Sequence, residues 1–158
     1  MDLKNSSLLR TESYINGEWV GATDGSSFAV LNPANGKVIA KVADLGPSDI
    51  TRAIDVAVEA QKDWARIPAK TRAMILRRWY DLVIENTDDL ALILTTEMGK
   101  PLEEAKGEIV YGASFIDWFG EEARRGCGDV LESPQTDKRL LTFKQPIGVF
   151  GAITPWNF

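Results

Sequence analysis

Apolar and polar positions change their period twice along the chain. Up to Leu45 they come in short alternating runs broken by turn residues. Ser13-Tyr14-Ile15 leads into Asn16-Gly17, a dipeptide that tolerates positive φ and suits a tight hairpin, with Trp19-Val20 as the return strand. Phe28 to Leu31 and Lys37 to Val42 flank Asn32-Pro33-Ala34-Asn35-Gly36, which predicts a second hairpin. From Ser48 the period lengthens to that of a helix. Ile50, Ala53, Ile54, Ala57 and Trp64 share a face, with Asp55, Glu59 and Lys62 off it. Ser48 suits the N-cap, and Asp49 the first turn, where the helix dipole favours an acid. Pro68 marks a second helix with Ala73, Leu76, Trp79 and Val83 as its stripe, and Arg72, Arg77 and Arg78 facing elsewhere.

Thr87, followed by Asp88 and Asp89, opens a third helix that Gly99 ends. Pro101 suits the first turn of a fourth, with Leu102, Ala105, Ile109, Ile116 and Phe119 apolar, running towards Arg124 and Arg125 before Gly126. Core packing is the expectation for Trp64, Trp79 and Trp118. Beyond Lys138 the strand period returns. Arg139 to Gln145 is β-compatible, Pro146-Ile147-Gly148 breaks it, and Val149 to Ile153 reads as a strand buried on both faces. A parallel strand needs a crossover and a partner. The pattern therefore predicts an α/β chain whose sheet is unfinished.

Composition narrows the function. At 158 residues the chain can build one domain with a core, and 44% hydrophobic with 26% charged residues is ordinary for a globular protein. A net charge of −5 argues against a nucleic-acid partner or an anionic membrane surface. No apolar run is long enough to span a bilayer, and MDLKNSSLLR lacks the apolar core of a secretory signal, so a cytoplasmic protein is expected. The chain has one cysteine and no histidine. That excludes Ser-His-Asp and Cys-His triads and His-ligated zinc within it. Acid–base work must fall to carboxylates, lysines or water.

Few residues invite a chemical reading. Cys127 follows Arg124 and Arg125, cations that favour a thiolate, but it lacks a base and reads as an incidental small residue. Gly112, Gly120, Gly126 and Gly128 form neither GxGxxG nor GxxxxGK[ST], so the usual phosphate cradles are missing. Glu103-Glu104 and Glu121-Glu122 read as solvated helix faces. Asn157 is different. It follows a predicted buried strand at the end where an α/β sheet places its ligand crevice, and its amide suits a developing oxyanion; a plain turn asparagine is the other reading.

The same terminal run carries a family resemblance. Gln145-Pro146-Ile147-Gly148-Val149, then Ile153-Thr154-Pro155-Trp156-Asn157-Phe158, looks like the QPxGV...PWNF signature of the aldehyde dehydrogenase superfamily. Ile15-Asn16-Gly17-Glu18-Trp19 resembles the INGEW start, Asn32 to Gly36 the NPATG-type turn, and Glu97-Met98-Gly99-Lys100-Pro101 the ExGKP element. All four come in the family's order. Gly107 to Phe119 and Asp137-Lys138-Arg139 look most like the succinate-semialdehyde dehydrogenase branch, with glutarate-semialdehyde enzymes close by.

The resemblance implies the N-terminal part of the aldehyde dehydrogenase fold: small β-hairpins, a helical segment, and the start of an oligomerisation arm and of a Rossmann-like sheet. Residues 1–129 would belong to the NAD(P)-binding domain, 130–146 to the first arm strand and 147–158 to the return into the cofactor domain. It also implies a dehydrogenase using NAD or NADP on a small aldehyde, as a homo-dimer or homo-tetramer. Ile153, Thr154, Pro155, Trp156 and Asn157 would line the nicotinamide side of the cofactor cleft. Asn157 would steady the oxyanion and Phe158 would border the aldehyde tunnel. The family's catalytic cysteine and glutamate lie downstream of PWNF, so this third of a family member is expected to be inactive by itself. The alternative is a non-catalytic module or relic that pairs through its arm strand.

Overall fold

In the computed structural model, residues 1–154 are described. Strands β1 (Ser13–Ile15) and β2 (Glu18–Val20) pair antiparallel, with Tyr14 opposite Trp19. Asn16 at φ 54° and Gly17 at φ 83° make the turn, the left-handed pair that matches the twist of a two-residue hairpin. The Tyr14 and Trp19 rings sit 5.2 Å apart, and the Arg10 guanidinium lies 4.6 Å over Trp19. Strands β3 (Ser27–Leu31) and β4 (Val38–Ala43) form the second hairpin, with an irregularity between Val30 and Leu31.

Four helices follow: α1 (Pro47–Trp64), α2 (Ala69–Glu85), α3 (Thr87–Met98) and α4 (Leu102–Glu122), the last extended by a 3₁₀ turn over Ala123–Arg125. Strands β5 (Val130–Leu131) and β6 (Leu140–Leu141) close a short ribbon. All three sheets among the described residues are two-stranded. No helix among them is long and apolar enough to cross a membrane.

The core is where α4 lies against both α2 and α3. Ala91, Leu94 and Ala105 form its buried cluster, flanked by Met98 and Ile109. Ala73 on α2 and Ala113 and Gly120 on α4 are also buried. A side chain on Gly120 would meet Leu76 Cβ at 3.4 Å. Helix separation is set by the side chains at the contact, and on the α4 side the buried ones are Ala105, Ala113 and Gly120.

The tryptophans expected in the core are all exposed: Trp79 and Trp118 lie outside the close contact of α4 with α2, and Trp64 ends α1, which takes no part in it. The expectation weighed apolar area; close helix approach selected residues without bulk instead.

Other expectations also change. Helix α1 starts at Pro47 with Gly46 as N-cap, not at Ser48. Proline lacks the N–H that a side-chain cap would satisfy and already holds a helical φ. The strand expected over Arg139 to Gln145 contracts to Leu140–Leu141. The buried strand expected over Val149 to Ile153 is not formed, and those residues are exposed. A strand's N–H and C=O groups need a neighbouring ladder, and the described residues supply none beside this run.

Buried carboxylates tie the loops to the helices. Asp89, in the first turn of α3, accepts the Lys4 N–H at 3.0 Å and the Asn5 N–H at 2.7 Å. This holds the N-terminal segment across the helix start, where an acid is also favoured by the dipole.

The packing predicts an asymmetry between small residues. Ala105→Leu, at a site with no exposed surface, should cost about 1–3 kcal/mol by overpacking. Ala60→Leu, exposed on α1, should stay within ~0.5 kcal/mol of the parent. Urea denaturation of both variants checks this; equal midpoints would contradict the close contact.

Candidate active-site region

Of the residues that the sequence nominates, Ile153 and Thr154 fall within the described part, and both are exposed outside any strand. Pro155, Trp156, Asn157 and Phe158 lie outside the described residues. Ile153 and Thr154 thus belong to none of the described elements. Cys127 is exposed and free. Glu103 pairs with Lys106 at 3.2 Å and Glu122 with Arg125 at 2.7 Å, as solvated faces should.

What the chain does bring together is its upstream signatures. The Asn32 to Gly36 turn is closed by its own asparagines. Asn32 Oδ1 accepts the Ala34 N–H at 2.9 Å, and Asn35 Oδ1 accepts the Lys37 N–H at 2.9 Å. Such side-chain turns are why asparagine favours these positions.

Pro33 of this turn reaches the Glu97 to Pro101 element. Gly99, the C-cap of α3, is left-handed at φ 84°, and a Cβ there would stand 3.1 Å from Pro33 Cγ. Glycine is required twice, for the φ and for the approach. Beside the junction a cavity of about 330 Å³ is lined by Leu9, Asn32, Asn35, Val38, Ile39 and Thr96, among others.

Lys100 follows in a buried position and pairs with Glu108, two turns into α4. Pro101 precedes the first turn of α4, and its carbonyl accepts the Ala105 N–H at 2.9 Å. The element thus ends one helix, starts the next and holds the corner with a buried ion pair. Glu97 is partly buried, and that burial pushes its carboxyl above the ordinary range.

Asp49, in the first turn of α1, is buried against the loop that follows β2. Its carboxylate accepts the Thr23 hydroxyl at 2.5 Å and the Thr23 N–H at 3.2 Å, with Arg52 at 3.5 Å. The Thr23 hydroxyl, then its N–H, hold Asp49 below the usual carboxylate range. Sequence reading missed both this tie and Lys100–Glu108. An acid one turn into a helix suggests a dipole partner, not a loop 26 residues upstream.

The aldehyde dehydrogenase family profile matches residues 19–158. The chain belongs to the aldehyde dehydrogenase family. Among curated relatives, the glutarate-semialdehyde dehydrogenase of Pseudomonas putida is 55% identical over 158 residues, all of this chain and 33% of that protein. The NADP-dependent succinate-semialdehyde dehydrogenase of Escherichia coli K12 is 52% identical over the same span, again 33% of its length. A solved succinate-semialdehyde dehydrogenase from Burkholderia pseudomallei superposes with TM-score 0.90 and 53% identity, covering 94% of this chain and 31% of that one.

The chain thus spans about one third of the length of the relatives it matches, and its fold is an N-terminal part of the aldehyde dehydrogenase fold. The family signatures at Asn16-Gly17, Asn32 to Gly36 and Gly99 to Pro101 shape backbone in this structure and form no catalytic cluster.

Two predictions follow from these contacts. Gly99→Ala should lower stability by about 1–3 kcal/mol, the cost of a non-glycine residue in the left-handed region, before the Pro33 contact is added; thermal or urea unfolding reads it, and an unchanged midpoint would contradict the contact. Asp49 and Glu97 have opposite pH signs. Asp49, depressed in the fold, contributes stability that is present above its ordinary value of 3.8 and lost as pH falls through its lower folded value. Glu97, raised in the fold, contributes stability present below 4.5 and lost as pH rises through its higher folded value. Asp49→Asn should therefore flatten the acid limb of the stability curve, and Glu97→Gln the fall above 4.5. Unfolding midpoints across this pH range check both signs.

Proposed function

We propose that this chain is the N-terminal portion of an NAD(P)-dependent dehydrogenase that oxidises succinic semialdehyde, or the closely related glutaric semialdehyde, to the acid. The observation that carries the reading is identity above 50% along all 158 residues, through the Pro155 to Phe158 run, to enzymes named for those two substrates. Both substrates are short aldehydes ending in a carboxylate.

Asn157 is the residue of this chain that acts on the reacting atoms. When a cysteine thiolate from polypeptide beyond this chain attacks the aldehyde carbon, the carbonyl oxygen becomes an oxyanion. The Asn157 side-chain amide donates to it, a neutral donor that adds no charge to the ground state. Phe158 borders the aldehyde tunnel. The fragment by itself carries out no turnover, because the attacking thiolate and the glutamate that activates water come from outside it. As described, Ile153 and Thr154 stand exposed and form no cleft for a dinucleotide. A site for NAD or NADP on Ile153, Thr154, Pro155, Trp156 and Asn157 requires further polypeptide to cover that run.

In this reading residues 1–129 belong to the cofactor-binding domain, 130–146 enter an oligomerisation arm and 147–158 return to the cofactor domain. The β5–β6 ribbon, with Val130 and Leu141 exposed, is the part that would pair between subunits of a homo-dimer or homo-tetramer.

The test is a chimera in which this chain replaces the matching third of the Escherichia coli enzyme. It should oxidise succinic or glutaric semialdehyde with NAD or NADP, while the isolated chain should not. In the chimera, Asn157→Ala should lower kcat by about 10²–10³ with folding intact by circular dichroism. An unchanged kcat removes the role given to Asn157; a folded but inactive chimera overturns the enzyme reading.

A further inference from the structure

Residues 1–9 are attached to the rest of the protein at one place. Among the described residues, every hydrogen bond that leaves this segment ends on the first turn of α3. The Lys4 and Asn5 N–H groups go to the two oxygens of Asp89, and Lys4 Nζ goes to Asp88. The other hydrogen bonds of the segment close on itself. Asn5 Oδ1 accepts the Ser7 N–H at 3.1 Å and the Ser7 hydroxyl at 2.6 Å, and the Asn5 and Ser6 carbonyls accept the Leu8 and Leu9 N–H groups. Leu3, Leu8 and Leu9 are half-buried, and no residue of the segment is fully buried.

Just beyond the segment the chain is held again. The Arg10 guanidinium lies over the Trp19 ring, and the Thr11 carbonyl accepts the Ala43 N–H at 2.8 Å. A hinge therefore falls between Leu9 and Arg10. On its inner side the segment borders a cavity. Met1 and Leu9 supply one wall of the cavity of about 330 Å³, against Asn32, Val38 and Ile39 of the second hairpin and Thr96 of α3. Little apolar burial, a single polar attachment and a fixed point beyond it are the features of a unit that opens without global unfolding.

We propose that residues 1–9 form a strap that swings out as a unit about the Leu9–Arg10 hinge, with Asp89 as its clasp, and that opening uncovers the cavity beside the Pro33–Gly99 junction. The strap goes beyond the dehydrogenase reading and does not depend on it. Two attachments compete for the role of clasp, and burial decides between them. The Lys4 and Asp88 side chains are 79% and 58% exposed, and an ion pair in open water contributes little. Asp89 is only 4% exposed, so its charge relies on the two N–H groups that the strap brings to it. Each oxygen takes one N–H. An amide at this position would set its NH2 group against one of the two donors.

Hydrogen exchange read by mass spectrometry on the whole 158-residue chain tests it. Peptides covering residues 4–9 should exchange together, and about 100-fold faster than those covering Ala91, Leu94 and Ala105. Asp89→Asn should speed the strap peptides by about tenfold and leave the core peptides nearly unchanged. Lys4→Met, which keeps the backbone N–H, should change the strap by less than about threefold. Opening of the cavity has its own readout. In a Cys127→Ser background, which removes the exposed thiol, Ile39→Cys should react with a thiol reagent several-fold faster once Asp89→Asn is added. Strap peptides that exchange only at the core rate overturn the strap. Equal speeding of strap and core by Asp89→Asn makes Asp89 a determinant of the whole fold and overturns the unit. Lys4→Met acting as strongly as Asp89→Asn overturns the choice of clasp. Unchanged labelling at Ile39→Cys overturns the cover of the cavity.

Discussion

The close approach of α4 to α2 and α3 is the constraint on which the rest of the architecture depends. On the α4 side it is made by residues that almost lack side chains: Ala105 against Ala91 and Leu94, and Gly120 against Leu76 and the Ala73 carbonyl. Once those positions set the spacing, no room is left between the helices for the large side chains beside them. Tyr111, Phe115, Trp118 and Phe119 must then point away from this contact. The outward aromatics are a consequence of the inner packing, and burying them requires a surface that the helical layer does not itself contain.

Polar ties hold the loops to this layer. Asp89 takes two backbone N–H groups of the N-terminal segment, Asp49 takes the hydroxyl and N–H of Thr23, and Lys100 pairs with Glu108 across the α3–α4 corner. A buried carboxylate is costly unless its oxygens find donors, so each of these acids fixes the path of the segment that supplies them. Asp49 and Glu97 differ in this respect. The first is satisfied and stays charged easily; the second meets burial as the dominant influence on its proton. That contrast gives the acid limb of stability two opposing contributions from one small layer.

What could be read from the sequence follows the range of the forces involved. Hairpin turns at Asn16-Gly17 and Asn32 to Gly36, and the helix stop at Gly99, are local backbone chemistry, and they stand within a residue or two of where the pattern puts them. Helix α1 is an intermediate case. Pro47 supplies the start that Ser48 was expected to cap, because proline's fixed φ competes with a side-chain oxygen for the same job. Long-range outcomes were not legible. Trp79 and Trp118 have the pattern of core residues, yet the helix spacing excludes them. Val149 to Ile153 has the pattern of a buried strand, yet forms none without a ladder beside it. The Pro33–Gly99 contact joins two motifs 66 positions apart in the sequence, and no periodicity reports such a meeting.

The family signatures divide accordingly. Three of the four act on the backbone of this structure: one turns a hairpin, one closes a side-chain turn, and one ends α3, starts α4 and buries the ion pair between them. None of these places a reactive group at a cleft. The chemistry proposed for this chain falls on the last run, from Ile153 to Phe158, of which Ile153 and Thr154 are exposed. A neutral amide such as that of Asn157 stabilises an oxyanion only where water is excluded and the donor is held still. The described elements supply neither condition near Thr154. The upstream signatures therefore fix the helical layer, and the α4 aromatics stand on its outer face.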